Sequence, residues 1–231
     1  MKTIGLLGGM SWESSVEYYR IINEAARERL GGLHSAQCLL WSFDFAEIEA
    51  LQMAGDWDTA SLRLIEAARQ LERGGAGCIV ICTNTMHKMA DAVQAAVDIP
   101  LLHIADTTAE KICADGLRTV GLLGTRFTME QDFYKGRLTD QYGLDVRVPD
   151  AARREVVHRA IYDELCLGVV RDQSRAAYLN IMDDLAQQGA QGIILGCTEI
   201  TLLIQAEHTP LRLYDTTRLH ALAAVEWALG N

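Results

Sequence analysis

The sequence repeats itself over a long period, and this repeat constrains the fold more than any other feature. Three pairs of segments recur in the same order at an offset of roughly 110 to 116 residues: Gly-Leu-Leu-Gly at 5–8 and 121–124, the stretches 75–83 and 189–197, and Asp-Thr-Thr at 106–108 and 215–217. A period this long is typical of duplicated lobes rather than of a solenoid. The alternative is that similar strand and loop chemistry arose independently within one α/β fold.

Apolar runs alternate with amphipathic helical segments along the whole chain. Short apolar runs predict strands at residues 3–7, 38–43, 78–81, 101–104, 119–123, 193–195 and 211–214. Helical periodicity is clearest at residues 57–73 and 174–188. The alternation predicts an α/β protein with parallel sheets flanked by helices. Together with the repeat, it predicts two similar lobes related by a pseudo-twofold axis, with an active site in the cleft between them. The expected lobes are residues 1–104 plus 218–231 and residues 105–217.

Charge and composition exclude several classes of protein. The net charge is −10 and no basic stripe is present, which argues against nucleic acid as the main partner. The first nine residues do not read as a signal peptide, and no apolar run is long enough to predict a membrane span. Six dispersed cysteines without a Cys-x-x-Cys pair predict free thiols and a cytoplasmic protein. Neither metal-ligand spacing nor an evident Schiff-base lysine is present, so we expect no metal and no pyridoxal phosphate.

The second repeat pair places Thr83 and Cys197 at equivalent positions, each just past a buried strand. Ligands of open parallel sheets bind beyond the carboxyl ends of the strands, so the pseudo-twofold axis would put both residues on opposite walls of one cleft. Racemisation at an α-carbon needs one group that removes a proton and another that delivers one to the opposite face. The two positions therefore suit proton transfer. An inert buried cysteine is the alternative for Cys197.

The segments that follow these two positions are predicted to begin helices. The expected helices are residues 88–97 and 200–205. Backbone N–H groups at their starts would hold a carboxylate and stabilise a thiolate. His87, one turn past Thr83, either orients the pocket or packs within its helix.

Several of these segments resemble the aspartate/glutamate racemases along nearly the whole chain. The matching residues are 5–12, 83–87, 121–125, 133–134 and 195–199, of which Gly-Cys-Thr-Glu at 196–199 is the most specific. The resemblance implies two Rossmann-like lobes, one catalytic cysteine from each lobe, no pyridoxal phosphate and a homodimer. It also implies that Asn84, Thr85 and Thr198 hold the substrate α-carboxylate, while Met10 and Glu199 line the same pocket.

The sequence departs from the family pattern at the first catalytic cysteine, where Thr83 stands instead. Cys82 lies one residue earlier, and side chains of an extended segment alternate faces, so Cys82 should point away from the pocket. Because a neutral hydroxyl is a poor base, Cys197 is expected to be the main base and acid. Thr83 would hydrogen-bond the substrate or pass a proton through water.

A second departure concerns the substrate side chain. Family members that prefer aspartate often carry basic residues where this chain has Gln52 and Leu167. The acidic group would then be held by Gln52 and Thr125, or by Arg126. Otherwise the substrate is a different amino acid.

These observations predict a cofactor-independent racemase or epimerase of aspartate and glutamate. A related single-cysteine enzyme, similar to arylmalonate decarboxylase or maleate isomerase, remains an alternative because one thiol suffices to protonate an enediolate. A non-catalytic amino-acid binder is the third interpretation, since binding residues are kept while one base is replaced.

Overall fold

The computed structural model of the protein describes residues 1–230 and divides the chain into two compact units. Unit 1 comprises Met1–Ile104 together with the chain from His220 onward, and unit 2 comprises Ala105–Leu219. Among the described residues, no helix is both long and apolar enough to cross a membrane.

Unit 1 is built from four short strands and the helices that connect them. Its strands are β1 (Ile4–Gly8), β2 (Cys38–Ser42), β3 (Cys78–Ile81) and β4 (Leu101–Leu102). Its helices are α1 (Trp12–Leu30), α2 (Phe45–Ala54), α3 (Trp57–Arg73), a 3₁₀ helix (Thr85–Met89) and α4 (Ala90–Gln94).

Unit 2 repeats this plan with more helices. Its strands are β5 (Thr119–Gly124), β6 (Asp145–Arg147), β7 (Gly192–Gly196) and β8 (Arg212–Asp215). The helices are α5 (Ile104–Ala114), α6 (Arg126–Glu130), α7 (Asp132–Tyr142), α8 (Ala151–Asp163), α9 (Asp172–Gln187) and α10 (Ile200–Leu203), with 3₁₀ helices at Leu165–Leu167 and Ala206–His208. The last helix, α11 (Thr216–Leu229), starts in unit 2 and enters unit 1 at His220.

The two sheets have the same strand order, and every neighbouring pair of strands is parallel. The order is β2-β1-β3-β4 in unit 1 and β6-β5-β7-β8 in unit 2. Strand β1 therefore corresponds to β5, and β3 corresponds to β7. This arrangement confirms the predicted fold class of two similar parallel sheets flanked by helices.

Strand β3 shows how the sheet of unit 1 is buried on both faces. Ile79 and Ile81 pack into one apolar cluster with residues of α3, such as Leu64. Cys78 and Val80 pack into a second cluster, formed with residues of α1 and α11. A strand with apolar residues on both faces reads as a continuous apolar run, which is why the sequence reveals it so clearly.

Some predicted elements are shorter than the sequence suggested, and β6 was missed. The strand expected at 101–104 stops at Leu102, because α5 begins at Ile104. The helix expected at 88–97 is replaced by the 3₁₀ helix and the five residues of α4. Helix α4 ends at Gln94, whose side chain accepts a hydrogen bond from the Leu101 N–H at 2.7 Å across the loop that follows. Strand β6 has a single buried residue, which leaves little periodicity to recognise.

We expect unfolding to become easier as the pH rises above about 8.5, where an unfolded thiol ionises. Burial raises the pKa of Cys78 to about 12 and also raises that of Cys82. Above the unfolded pKa the native state binds more protons than the unfolded state, so stability falls with rising pH. For these two thiols the free energy of unfolding should fall by roughly 2 to 4 kcal/mol from about pH 8.5 to about pH 10.

Urea unfolding under reducing conditions at a series of pH values measures this loss. The Cys78→Ala, Cys82→Ala double variant should show a shallower decline over the same range. An equal decline in both proteins would assign the effect to other groups.

Candidate active site

The carboxyl ends of β5 and β7 lie side by side and carry two of the predicted residues. Gly124 pairs with Gly196 in the sheet register, and each is the last residue of its strand. A Cβ on Gly196 would lie 2.9 Å from the Leu123 carbonyl oxygen, so a larger residue would push the strands apart. The glycines therefore allow close strand packing, and Thr125 and Cys197 leave the same edge of the sheet.

Cys197 makes a direct contact with a carboxylate. Its Sγ donates a hydrogen bond to Glu199 Oε2 at 2.9 Å, and Glu199 is 7% exposed. Tight backbone turns hold this pair, because the Ile200 N–H donates to the Cys197 carbonyl at 3.1 Å and the Leu202 N–H to the Glu199 carbonyl at 3.0 Å. The site thus presents a thiol and a carboxylate two residues apart on a constrained loop.

The surroundings of Cys197 favour the thiol over the thiolate. Burial raises the pKa of Cys197 well above its usual value, and the negative charge of Glu199 raises it further. The backbone N–H of Glu199 acts in the opposite direction. Helix α10, with only four residues, supplies little of the helix dipole that the sequence suggested for thiolate stabilisation. The helix start after Cys197 therefore does not provide the thiolate stabilisation that the sequence suggested, and the thiol would have to lose its proton before it could act as a base.

The remaining predicted residues of unit 2 lie near the same sheet edge. Thr198 Oγ1 is 2.7 Å from Thr217 Oγ1, and Thr216 Oγ1 donates to the Leu195 carbonyl at 2.9 Å. The Asp-Thr-Thr motif at 215–217 thus packs against the end of β7. Thr125 is buried and caps α6, where its Oγ1 accepts from the Thr128 N–H at 3.4 Å.

Two residues considered for specificity are on the surface of unit 2. Arg126 is 4.0 Å from a Glu155 carboxylate oxygen in an exposed ion pair, and Leu167 is 71% exposed.

In unit 1, the segment after β3 is equivalent to the segment after β7 that begins with Cys197. Thr83 is partly buried, and Asn84 and Thr85 are buried at the start of the 3₁₀ helix. The register explains the equivalence: Leu7 pairs with Ile81 in this sheet, as Leu123 pairs with Leu195 in the other.

Cys82 belongs to the core of unit 1 rather than to this group. It is 1% exposed and packs in the same cluster as Tyr18 and Val80. The prediction from side-chain alternation is confirmed.

His87 holds the Thr83 loop through both ring nitrogens. Its Nε2 accepts a hydrogen bond from the Ile104 N–H at 3.1 Å, so the ring proton sits on Nδ1 and donates to the Thr83 carbonyl at 2.8 Å. A neutral imidazole with this tautomer satisfies both contacts. Of the two interpretations left open by the sequence, orientation of the loop is the one this geometry supports.

Two further histidines, which the sequence analysis did not connect with the site, surround His87. Ring centroids lie 4.6 Å apart for His87 and His103 and 5.5 Å apart for His87 and His220. His220 Nε2 donates to the Leu102 carbonyl at 2.7 Å and its Nδ1 accepts from the Tyr18 hydroxyl at 2.8 Å. The signal that could have found them is their position in the sequence. His103 directly follows β4, and His220 follows the second Asp-Thr-Thr motif.

Gln52 and Met10 lie on the same side of the unit 1 sheet as the 3₁₀ helix. The Gln52 amide is buried on α2 and its Nε2 donates to Met86 Sδ at 3.0 Å. Met10 is buried in the apolar cluster that also contains Met86. The two residues are thereby placed near the segment that carries Thr85. Within residues 1–230, no group of three or more His, Cys, Asp and Glu side chains is arranged to hold a metal ion.

Comparisons with known proteins identify the family of the chain. The protein-family model described as Asp/Glu/Hydantoin racemase matches residues 7–224. A Bacillus subtilis protein named broad specificity amino-acid racemase RacX is 22% identical over 183 residues, which span 76% of this chain and 75% of that protein.

Solved structures show the same fold over almost the whole chain. The crystal structure of a candidate Asp/Glu racemase from Yersinia pestis is 55% identical, covers 99% of this chain and 100% of its own, and has a TM-score of 0.94. The crystal structure of an aspartate racemase homologue from Pyrococcus horikoshii is 34% identical, with the same coverages and a TM-score of 0.86.

Proposed function

The chain belongs to the Asp/Glu/Hydantoin racemase family, and from this premise we propose that it is a racemase or epimerase of aspartate and glutamate that uses no cofactor. The observation that carries the proposal is the Cys197 thiol at the end of β7, in hydrogen-bond contact with Glu199. Family membership supports an amino-acid racemase. The acidic substrate, the cysteine chemistry and a homodimeric state are our proposals.

The proposed reaction moves one proton at the α-carbon. Cys197, as a thiolate, removes the α-proton from one enantiomer, and the electron pair left behind is delocalised into the α-carboxylate. A proton then reaches the opposite face of the α-carbon by way of Thr83, which stands at the equivalent position in unit 1. Because a hydroxyl is a poor base, we expect this proton to come from water that Thr83 positions.

Binding would use polar groups that accept or donate hydrogen bonds without carrying charge. Asn84, Thr85 and Thr198 are proposed to hold the α-carboxylate, and Met10 to line the pocket. Gln52 and Thr125 are proposed to contact the side-chain carboxylate. Both are buried and polar, and a buried donor that loses its partner is costly, which gives such contacts selectivity.

The test is incubation of the protein in heavy water with each enantiomer of aspartate, glutamate and a panel of neutral amino acids. Chiral chromatography and mass spectrometry then report inversion and deuterium at the α-carbon. We expect both for an acidic amino acid, with activity unaffected by chelator or by removal of pyridoxal phosphate.

Three outcomes would contradict the proposal. Binding without α-exchange would indicate an amino-acid binder, and release of carbon dioxide would indicate a decarboxylase. Inversion confined to neutral amino acids would contradict the acidic substrate.

A further inference from the structure

We propose that His220, on α11, is a positioning residue for Thr83, although the two residues are 137 positions apart in the sequence. It acts through the backbone of residues 102–104 and the ring of His87. This inference rests on the proposed function, because it concerns the residue by which a proton would reach the second face of the α-carbon.

Hydrogen bonds connect α11 to the backbone of Thr83 through one short stretch of chain. His220 Nε2 donates to the Leu102 carbonyl at 2.7 Å. Two residues further on, the Ile104 N–H donates to His87 Nε2 at 3.1 Å. His87 Nδ1 then donates to the Thr83 carbonyl at 2.8 Å. A displacement of His220 therefore disturbs the same backbone that holds the ring of His87, and with it Thr83.

The histidine rings also restrain one another by packing. His87, His103 and His220 are all buried, and the ring of His87 contacts the other two edge to face, at interplanar angles of 61° and 63°. The Tyr18 hydroxyl donates to His220 Nδ1 at 2.8 Å, which leaves Nε2 to carry the ring proton that the Leu102 carbonyl accepts. Buried polar networks whose members are satisfied are rigid, so the three rings hold a fixed arrangement. We call these three residues the histidine clamp.

The histidine clamp lies where the chain leaves unit 1 and where it returns. Unit 1 ends at Ile104 and resumes at His220. Ile104 donates to one ring of the clamp, and His220 is itself a member. Both ends of unit 1 are therefore tied to the loop that carries Thr83.

The corresponding position in unit 2 is built differently. Thr83 aligns with Cys197 in the repeat, and at the same offset His87 aligns with Thr201. Thr201 Oγ1 donates to the Thr198 carbonyl at 2.7 Å, within its own turn. The long-range clamp is therefore not a requirement of the fold that both units share, and it accompanies the unit in which a hydroxyl replaces the thiol.

A hydroxyl that acts by positioning water depends strongly on accurate placement. A misplacement of about 1 Å can cost about 100-fold in rate, even when its origin is far from the reacting atoms. His87 takes no proton in this scheme, because both of its ring nitrogens are engaged by the backbone. The clamp should therefore affect inversion, which uses Thr83, and leave the reactivity of Cys197 unchanged.

Two substitutions of His220 separate the contacts of its ring. In His220→Gln the amide nitrogen reaches the place of Nε2 and can donate to the Leu102 carbonyl, whereas in His220→Asn the amide ends near the place of Nδ1. We expect His220→Asn to lower kcat for inversion by at least about tenfold, with KM changed less than about threefold. His220→Gln should stay within about threefold of wild type in both constants. The exposed His34 provides a control, and His34→Gln should keep wild-type kinetics.

A second readout measures the coupling without turnover. Amide hydrogen exchange of the peptide that covers residues 84–89 reports the 3₁₀ helix, in which the His87 N–H donates to the Asn84 carbonyl at 3.1 Å. Protection of these amides should fall in His220→Asn and stay high in His220→Gln, while the amides of β1 keep their protection in both. The rate at which iodoacetamide alkylates Cys197 should equal that of wild type in both variants.

The outcomes distinguish this inference from the proposed function. A His220→Asn variant of an active enzyme with normal kcat, or equal losses in the two variants, overturns the positioning role. Exchange that rises throughout unit 1 also overturns it, because it shows a general loosening of the unit. A wild type that inverts no amino acid overturns the proposed function, while loss of protection confined to residues 84–89 still supports the clamp.

Tyr18→Phe replaces His220→Asn if that variant does not fold. It removes the hydrogen bond to His220 Nδ1 and leaves the ring free to change its tautomer. We expect faster exchange of the amides of residues 84–89 and slower inversion. Unchanged exchange there in the folded variant overturns the inference.

Discussion

Replacing Cys197 by serine is expected to abolish racemisation and leave the fold intact. A serine hydroxyl is a far weaker acid than a thiol, so the base is lost while the side chain changes little in volume. We expect the turnover to fall by at least about 1000-fold, which corresponds to roughly 4 kcal/mol of lost transition-state stabilisation. The measurement is kcat with each enantiomer, alongside thermal unfolding of both proteins.

The matched control for this variant is Cys113→Ser, because Cys113 is an exposed free cysteine of unit 2. It should keep full activity and its usual unfolding temperature. A Cys197→Ser variant that retained more than about a tenth of wild-type turnover, a loss under roughly 1.4 kcal/mol, would contradict the assignment of Cys197 as the main base.

The internal repeat explains why so much of the fold was predictable. A segment buried on both faces of a parallel sheet must be apolar throughout, so β3 and β7 leave clear runs in the sequence. The repeat aligned these runs, and the identical strand orders show why the alignment works. Cys82, directly after β3, is a local example, since alternation of side chains alone predicted that it points away from the side of Thr83.

The protonation state of the Cys197 thiol was beyond what the sequence could predict. The spacing of Cys197 and Glu199 is visible in the sequence, yet their contact depends on the turns that follow β7. Burial, which raises the pKa of the thiol, is a property of the folded chain. Helix length also depends on the folded chain. The sequence predicted a helix over residues 200–205, but α10 ends after four residues, where Ile204 adopts an extended conformation.

The histidines around the Thr83 loop show the limit of local reasoning most directly. His87 and His220 are 133 residues apart in the sequence and yet have their rings in contact. Their roles depend on tautomers that backbone groups of β4 and α5 select, through Leu102 and Ile104. Such contacts become visible only once the sheet and its helices are assembled.

We expect the two enantiomers to exchange their α-protons at different rates, because Thr83 replaces the second thiol. The thiolate of Cys197 can remove the proton of the enantiomer whose C–H bond faces it. The other enantiomer would have to give its proton to a hydroxyl, which accepts it poorly. From the arrangement of the racemase family, we expect the α-proton of the L-form to exchange faster than that of the D-form. The difference should be at least about 100-fold, the lower end of what a general base contributes.

The enzyme cannot change the equilibrium, and a racemisation constant of about one links the kcat/KM values of the two directions. Exchange of the α-proton that returns the same enantiomer does not enter this relation. The difference between the two enantiomers should therefore appear in their rates of α-proton exchange without inversion. If the Cys197 thiol exchanges its hydrogen with heavy water before the proton returns, the L-form gains deuterium without inversion. Heavy-water exchange of each enantiomer, measured before appreciable inversion, separates the two processes.

Thr83→Cys should restore the second base and bring the two exchange rates closer. The backbone of the loop should not move, because His87 holds Thr83 through its carbonyl oxygen rather than through its side chain. Thr83→Ser, which keeps the hydroxyl, is the matched control and should preserve the asymmetry. If wild type exchanged both enantiomers at equal rates without inversion, a base other than Cys197 and Thr83 would have to act on the D-form. If Thr83→Cys left the slow rate unchanged in a folded protein, Thr83 would not stand where the second proton is transferred.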